Sequence, residues 1–165
     1  MNKIARRITA YDETIEQFIQ ECDNSGKFNE DQMNEIRWGF EDGLTIDQVK
    51  FYAKPEFVSG QMYQICLGFE DGLTIDQVKV YAKPEFSYYQ METIRLGFKQ
   101  GLSMEQVKFY ANTKFSAVQM DEILKGFKDD LTIEEVKIYA KPEFSWRKME
   151  EVREDLEKNI SIKKE

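Results

Sequence analysis

"GFEDGLTIDQVK" occupies residues 39–50, and the same string recurs at residues 68–79. The two copies start 68 − 39 = 29 residues apart, and phenylalanine and methionine return at that interval. The two series are Phe28, Phe57, Phe86, Phe115 and Phe144, and Met33, Met62, Met91, Met120 and Met149. A fixed period of this length is typical of stacked helical repeats. The string is therefore predicted to build a scaffold rather than a duplicated active site.

The interval predicts a single all-α domain, residues 1–165, built as a short α-solenoid. Tandem two-helix repeats, four full and one partial, follow an N-terminal capping helical segment. The predicted parts are the N-terminal cap (1–27), the repeats 28–56, 57–85, 86–114 and 115–143, and a partial repeat with the C-terminal cap (144–165). We expect roughly eleven helices in total.

The third repeat shows how each unit encodes its two helices. Ser87 and Gln90 have the spacing of a capping box, and Ser103 and Gln106 repeat that spacing at the second helix. Gly101 lies between the two helices, where it predicts a left-handed end to the first one. In three repeats the second helix runs into "YAKPEF", whose proline forbids continuation. The third repeat lacks this proline, so we expect a looser exit there.

A glycine recurs inside the first helix of every full repeat. These residues are Gly39, Gly68, Gly97 and Gly126. Each costs about 1 kcal/mol relative to alanine, so the repetition predicts close approach of the backbone of a neighbouring helix. Asp155 takes this position in the partial repeat, where no further helix is expected, and Asn159 takes the position of the helix-ending glycine.

Before the first repeat, apolar residues follow the spacing of an amphipathic helix. They are Ile4, Ile8, Tyr11, Ile15, Phe18 and Cys22. We expect this helix to cap the first repeat, as the ends of repeat proteins require.

Composition excludes several classes of function. The chain has no histidine, which rules out histidine-dependent triads and histidine-ligated zinc. Cys22 and Cys66 form no CxxC pair, so they predict free thiols in a reducing cytoplasm. We expect no enzymatic activity, no catalytic residue, no cofactor and no metal. No apolar run suggests a membrane span, and the N-terminus does not resemble a signal peptide, so a cytoplasmic protein is predicted.

The net charge is 23 − 31 = −8. This balance disfavours direct nucleic-acid binding, which needs clustered lysine and arginine. It permits docking on a basic protein surface that ordinarily holds nucleic acid.

The units "QMETIRLGFKQGLSMEQVKFY" and "YAKPEFSYYQM" resemble a repeat of uncharacterised proteins from gut bacteria and their mobile elements, over residues 28–149. The opening "MNKIARRITAYDETIEQFIQECDNSGKFNEDQM", followed by such repeats, is similar to anti-CRISPR proteins of phages and mobile elements that inhibit type II (Cas9) effectors. The resemblance implies a non-enzymatic stoichiometric inhibitor. It transfers no contact residue.

Candidate binding residues lie where the repeats differ, directly after the repeated phenylalanine. Tyr88, Tyr89, Trp146 and Arg147 stand there, and tyrosine, tryptophan and arginine dominate binding hot spots. The aromatic residues either contact a protein partner or cover grooves between repeats. For Trp38 we expect groove covering, because leucine takes its position in the next two repeats.

Acidic residues in the turns supply a second candidate surface. They are Glu41, Asp42, Glu70, Asp71, Asp129 and Asp130. If they align, they form an acidic ridge able to occupy the basic channel of a Cas9-type effector or its guide-RNA complex; the alternative is a solvated face that aids solubility.

Two other functions stay open. The turn-and-helix pattern is similar to a helix-turn-helix, and lysines four residues apart on the second helices suggest a basic stripe, so DNA binding is one alternative. A general protein-interaction scaffold is the other. We expect a monomer or small oligomer, because the polar C-terminal segment is typical of a terminating cap.

Overall fold

The computed structural model describes the backbone of residues 3–164 and the side chains of residues 13–159. Within these residues the fold is all-α, with ten helices and no strand. The helices are α1 (Lys3–Ser25), α2 (Glu30–Glu41), α3 (Ile46–Tyr52), α4 (Ser59–Glu70), α5 (Ile75–Tyr81), α6 (Tyr88–Lys99), α7 (Met104–Tyr110), α8 (Ala117–Lys128), α9 (Ile133–Tyr139) and α10 (Trp146–Lys164). The predicted class and the tandem two-helix repeats are confirmed.

The chain divides into two compact units, Met1–Gly72 and Leu73–Glu165. In the first unit α2 packs against α1, α3 and α4. In the second unit α6 packs against α5, α7 and α8, and α10 packs against α8 and α9. In each unit the first helices of successive repeats are neighbours, which is the packing expected of a helical repeat stack.

Capping boxes start the repeat helices, as predicted. The N-cap side chain accepts from the third backbone N–H, and the side chain at that third position accepts from the N-cap backbone. The N-cap residues with both bonds are Asn29, Thr45, Thr74, Ser87, Ser103, Ser116 and Thr132. Helix α4 differs, because its N-cap is Val58, which has no side-chain acceptor; only the bond from Val58 N–H to Gln61 Oε1, at 2.9 Å, is made.

The glutamine of the box also joins successive repeats. While its oxygen caps its own helix, its Nε2 donates to the carbonyl of the phenylalanine that opens the next repeat. In the first unit this bond runs from Gln32 to Phe57, at 2.7 Å. In the second unit it runs from Gln90 to Phe115 and from Gln119 to Phe144, both at 2.7 Å.

The first helices end at a left-handed residue. Gly43, Gly72 and Gly101 have φ of +87°, +76° and +88°, which glycine adopts without a Cβ penalty. In the fourth repeat Asp130 takes the glycine position, with φ of +65°. Asp130 is therefore not equivalent to Asp42 and Asp71, with which it was predicted to form an acidic ridge.

The second helices end in an inverse γ-turn at an alanine. Ala53 has φ −69° and ψ 70°, and Lys54 N–H donates to Tyr52 O at 2.7 Å. In the third repeat Ala111 has φ −68° and ψ 67°, with the same bond at 2.7 Å from Asn112 N–H. The expected looser exit is wrong, because this turn needs no proline.

Three of the glycines inside the first helices, Gly39, Gly97 and Gly126, make room for a tyrosine of the same repeat. A Cβ at Gly39 would overlap the Tyr52 hydroxyl, which donates to Glu35 O at 2.9 Å. Gly97 accommodates the Tyr110 hydroxyl in the same way. The prediction of close backbone approach is wrong, since the approaching group is a side chain. Tyr52, Tyr81, Tyr110 and Tyr139 are fully buried.

The two ends of the chain differ from the expectation in part. Helix α10 continues through Asn159 to Lys164, so no stop lies at Asn159, and residues 3–164 hold ten helices instead of roughly eleven. Asp155 is exposed. At the N-terminal end α1 packs against α2. The rings of Phe18 and Phe40 meet edge-on, with their centroids 6.1 Å apart. The side chains of Ile4, Ile8 and Tyr11 lie outside the described residues.

Candidate functional site

A groove of about 740 Å³ lies between α6 and α8 in the second unit, on the helices that open the third and fourth repeats. We call it the α6–α8 groove. Its main lining residues are Tyr89, Thr93 and Leu96 from α6, and Ala117, Val118 and Asp121 from α8. Helix periodicity explains the set on α6, because residues three and four apart share one face.

The groove surface is encoded where the repeats differ. Tyr89 and Val118 are one repeat apart and are 56% and 54% exposed. The same position holds Asp31, Gly60 and Arg147 in the other repeats. The phenylalanine before it and the methionine after it keep their identity in every repeat, so this exposed apolar pair is not required by the scaffold.

The rings of Tyr88 and Tyr89 contact each other beside the groove, tilted by 37°. Their ring centroids are 4.0 Å apart, and Tyr88 is 39% exposed. A hydrogen bond with Tyr89 raises the pKa of Tyr88. The pair therefore offers aromatic surface and a neutral hydroxyl, a combination that suits contact with a protein.

Two acidic residues, Glu92 and Asp121, also line the α6–α8 groove. Asp121 forms an ion pair with Lys125 at 2.9 Å. Lys125 also bonds to Glu122 at 2.7 Å, and Glu122 in turn accepts from Arg153 Nε at 3.1 Å. Asp121 thus belongs to an ion network that joins α8 to α10, and it is held in place at the groove.

Trp146 and Arg147 form a separate exposed pair at the start of α10. The Arg147 guanidinium lies 5.2 Å from the Trp146 ring, and Trp146 is 40% exposed. Neither residue lines the α6–α8 groove. Trp38 is 50% exposed, and its covering of a groove between repeats stays a prediction.

The turn acids converge in the first unit. Ligand atoms of Asp42, Cys66 and Glu70 lie within 4.8 Å of one another, and Cys66 Sγ–H donates to Glu70 Oε1 at 3.2 Å. The pKa of the Cys66 thiol is raised to about 12, mainly by burial and secondly by the neighbouring Glu70 carboxylate. In this structure the sulfur is therefore a protonated hydrogen-bond donor to the Glu70 carboxylate. Glu41 is exposed and Asp71 is partly buried.

In the second unit the acids do not continue as a ridge. The third repeat has Lys99 and Gln100 where the first has Glu41 and Asp42. Asp129 lies 3.9 Å from Arg153 Nη1, so its charge faces a cation.

Sequence reasoning found Tyr88 and Tyr89 but missed the groove beside them. Val118 was missed because only aromatic residues and arginine were singled out at the variable positions. Comparing the residues at one position across all repeats would have identified it.

Comparison with protein-family models, curated proteins and solved structures finds no match to this chain. Within the described part of the chain, no helix has both the length and the apolar character that crossing a membrane requires.

Proposed function

We propose that this chain is a non-enzymatic, protein-binding repeat protein, and that its partner inserts apolar side chains into the α6–α8 groove. The observation that supports the proposal is the exposure of Tyr89 and Val118 at a position that varies between repeats. A repeat scaffold changes its specificity at such positions without changing its fold. Tyr88, whose ring contacts that of Tyr89, adds aromatic surface at the edge.

The specific partner that we propose is a Cas9-type nuclease or its guide-RNA complex, whose action on DNA the bound protein would block. This assignment rests on the resemblance of the N-terminal segment and the repeats to anti-CRISPR proteins of phages and mobile elements. The net charge of −8 and the convergence of Asp42 with Glu70 suit a basic nucleic-acid channel.

A cleavage assay tests this assignment. A panel of purified Cas9-type nucleases, each loaded with guide RNA, is titrated with the protein before target DNA is added. We expect inhibition of at least one nuclease near equal molar ratio. Val118→Asp should weaken it by about tenfold or more, because it places a charge in the apolar groove. Tyr63→Ala is the matched control, because Tyr63 is 47% exposed on α4 and lies outside the groove.

Full cleavage by every nuclease at large excess of the protein would refute the Cas9-type partner. Selection of displayed random peptides on the immobilised protein then tests the wider proposal. We expect peptides with apolar residues that bind the unaltered protein and lose binding to Val118→Asp. Peptides that bind both proteins equally would show that the groove is not the docking site.

DNA binding in the manner of a helix-turn-helix and a general scaffold role are the alternatives. At the start of α10, Arg147 already stacks on Trp146, and Lys148 pairs with Glu151 at 3.1 Å, which gives little support to base or phosphate contacts there. A gel shift at low salt is the test. Strong, salt-sensitive retention of random duplex would favour the DNA-binding alternative.

A further inference from the structure

A second concave surface lies between the second helices of the second and third repeats. The cleft between α5 and α7 has a volume of about 620 Å³ and lies entirely in the second unit. We call it the lysine cleft. Its lining residues are Lys79, Lys83, Lys108, Asp76, Val80, Met104 and Ala111. Helix α6 packs against both α5 and α7, which fixes the two walls relative to each other.

The charge of this cleft opposes that of the whole chain. Three lysines and one aspartate line it, which gives 3 − 1 = +2, whereas the chain carries −8. Lys79 pairs with Asp76 at 3.2 Å. Within the described residues, Lys83 and Lys108 have no carboxylate within ion-pair distance. Lys83 Nζ instead lies 5.8 Å from the Phe86 ring.

The rest of the lining is apolar. Val80 is 8% exposed, and Met104 and Ala111 are partly buried. Cationic side chains beside a small apolar surface match a ligand that carries both negative charge and apolar groups.

We propose that the lysine cleft binds an acidic peptide segment of a partner protein, with carboxylates against Lys83 and Lys108 and an apolar side chain against Val80. Two features favour such a peptide over a phosphate backbone. The cleft has no arginine, the residue that grips phosphate with two parallel bonds. A long polyanion would also meet the net negative charge of the chain, whereas a short segment feels mainly the charges within a Debye length of about 8 Å.

This site is independent of the α6–α8 groove, since the two share no lining residue. It also differs from the equivalent surface of the fourth repeat. Lys141 is the counterpart of Lys83 and lies 5.1 Å from the Phe144 ring, but it does not line the cleft. Lys141 therefore supplies a control with the same local contact.

Fluorescence anisotropy with a labelled peptide of alternating glutamate and leucine tests the proposal. We expect binding at low salt that weakens as salt is added, and much weaker binding of the peptide with glutamine in place of glutamate. The exposed lysines permit charge reversal without loss of the fold, which circular dichroism would verify. Lys83→Glu and Lys108→Glu should each weaken binding by about tenfold, and Lys141→Glu should change it less than about twofold. Met104→Gln should weaken binding of the leucine peptide.

Three results would overturn the proposal. The first is no binding at low salt. The second is equal binding by the unaltered protein and the Lys83→Glu/Lys108→Glu double variant. The third is stronger, equally lysine-dependent binding of duplex DNA or inorganic tripolyphosphate, which would assign the cleft to phosphate. Val118→Asp should leave the anisotropy signal intact. A wrong proposal for the α6–α8 groove can therefore be distinguished from a wrong proposal for the lysine cleft.

Discussion

At the residue scale, the contact between Gly97 and Tyr110 shows what one repeated position does. The Tyr110 hydroxyl occupies the space of a Cβ at Gly97 and donates to Thr93 O at 3.4 Å. Glycine lowers the stability of the helix, but it leaves space for a large, fully buried tyrosine whose hydroxyl has a hydrogen-bond acceptor. Burial raises the pKa of Tyr110, so the hydroxyl stays a donor.

A double-mutant cycle tests this contact. We expect Gly97→Ala to lower the free energy of unfolding by about 1–3 kcal/mol, because the added methyl group overlaps the hydroxyl. Tyr110→Phe should cost about 1 kcal/mol through the lost hydrogen bond. Since phenylalanine removes the overlapping atom, the double variant should be more stable than the sum of the two losses predicts. Urea denaturation measures all four proteins, and strict additivity would contradict the contact.

The left-handed turn of the fourth repeat is a natural variant of the glycine turn. Asp130 has φ of +65°, a conformation that costs L-residues roughly 1–2 kcal/mol, and somewhat less for aspartate. We expect Asp130→Gly to raise the free energy of unfolding by about 0.5–1 kcal/mol. Gly101→Ala is the matched reverse change, because a Cβ there meets no atom within 4 Å and only the backbone conformation opposes it. Thermal unfolding that shows no gain for Asp130→Gly would be inconsistent with this strain.

At the element scale, helix α4 is the one helix among α2–α9, all of which the structure describes, that starts without a side-chain cap. Val58 stands where Ser87 and Ser116 cap the equivalent helices of later repeats. Val58→Ser should raise the free energy of unfolding of the first unit by about 1 kcal/mol, because it supplies the missing acceptor. Ser87→Val should lower that of the second unit by a similar amount. Amide hydrogen exchange at the start of each helix locates the change, and unchanged exchange in α4 would argue against capping.

The helices themselves were largely predictable from sequence, because caps, left-handed glycines and apolar spacing act over a few residues. The exits of the second helices were predicted less well. The proline of "YAKPEF" predicts the stop, whereas the turn at Ala111 forms without one. Likewise the tyrosine partner of Gly97 could not be predicted, because periodicity gives the interval of each residue but not which two residues meet.

At the scale of the whole molecule, the first and fourth repeats each bury a carboxylate at the same position but give it different partners. Glu122 in α8 pairs with Arg153 one repeat later, at 3.1 Å. Glu35 is the equivalent residue of the first repeat, and Cys66 takes the arginine position, since 66 − 35 = 31 and 153 − 122 = 31. Burial, followed by the charge of Asp31, raises the pKa of Glu35 to about 7.

This carboxylate predicts a pH dependence of stability near neutrality. Because the pKa is higher in the folded state, the folded protein binds the proton more tightly. The contribution of Glu35 is complete below the ordinary pKa of 4.5 and is lost as the pH rises through about 7. Glu35→Gln should therefore raise the free energy of unfolding by about 1–3 kcal/mol at pH near 8 and by almost nothing at pH near 4. Urea denaturation across this range is the measurement.

The exposed Glu41→Gln serves as the control for Glu35→Gln. An equal gain from both variants, or a gain from Glu35→Gln that does not vary with pH, would contradict the buried carboxylate.

The candidate sites were the least predictable features at this scale. Variation between repeats drew attention to Tyr88 and Tyr89, and their role in binding stays a prediction, but the groove beside Tyr89 depends on how α6 and α8 sit side by side. The basic stripe predicted from lysines four residues apart includes Lys79 and Lys83 but omits Lys108, because Asn112 takes the second lysine position in the third repeat. Neither surface follows from local pattern alone.

The bonds from Gln90 to Phe115 and from Gln119 to Phe144 both span 25 residues. A single inserted or deleted residue inside that span would shift the glutamine away from its carbonyl or the phenylalanine out of the core. Removing or copying one whole 29-residue repeat would restore every such bond at the junction. Genetic change in chain length should therefore be tolerated only in steps of 57 − 28 = 29 residues. Unequal recombination between the identical strings at 39–50 and 68–79 would supply such steps.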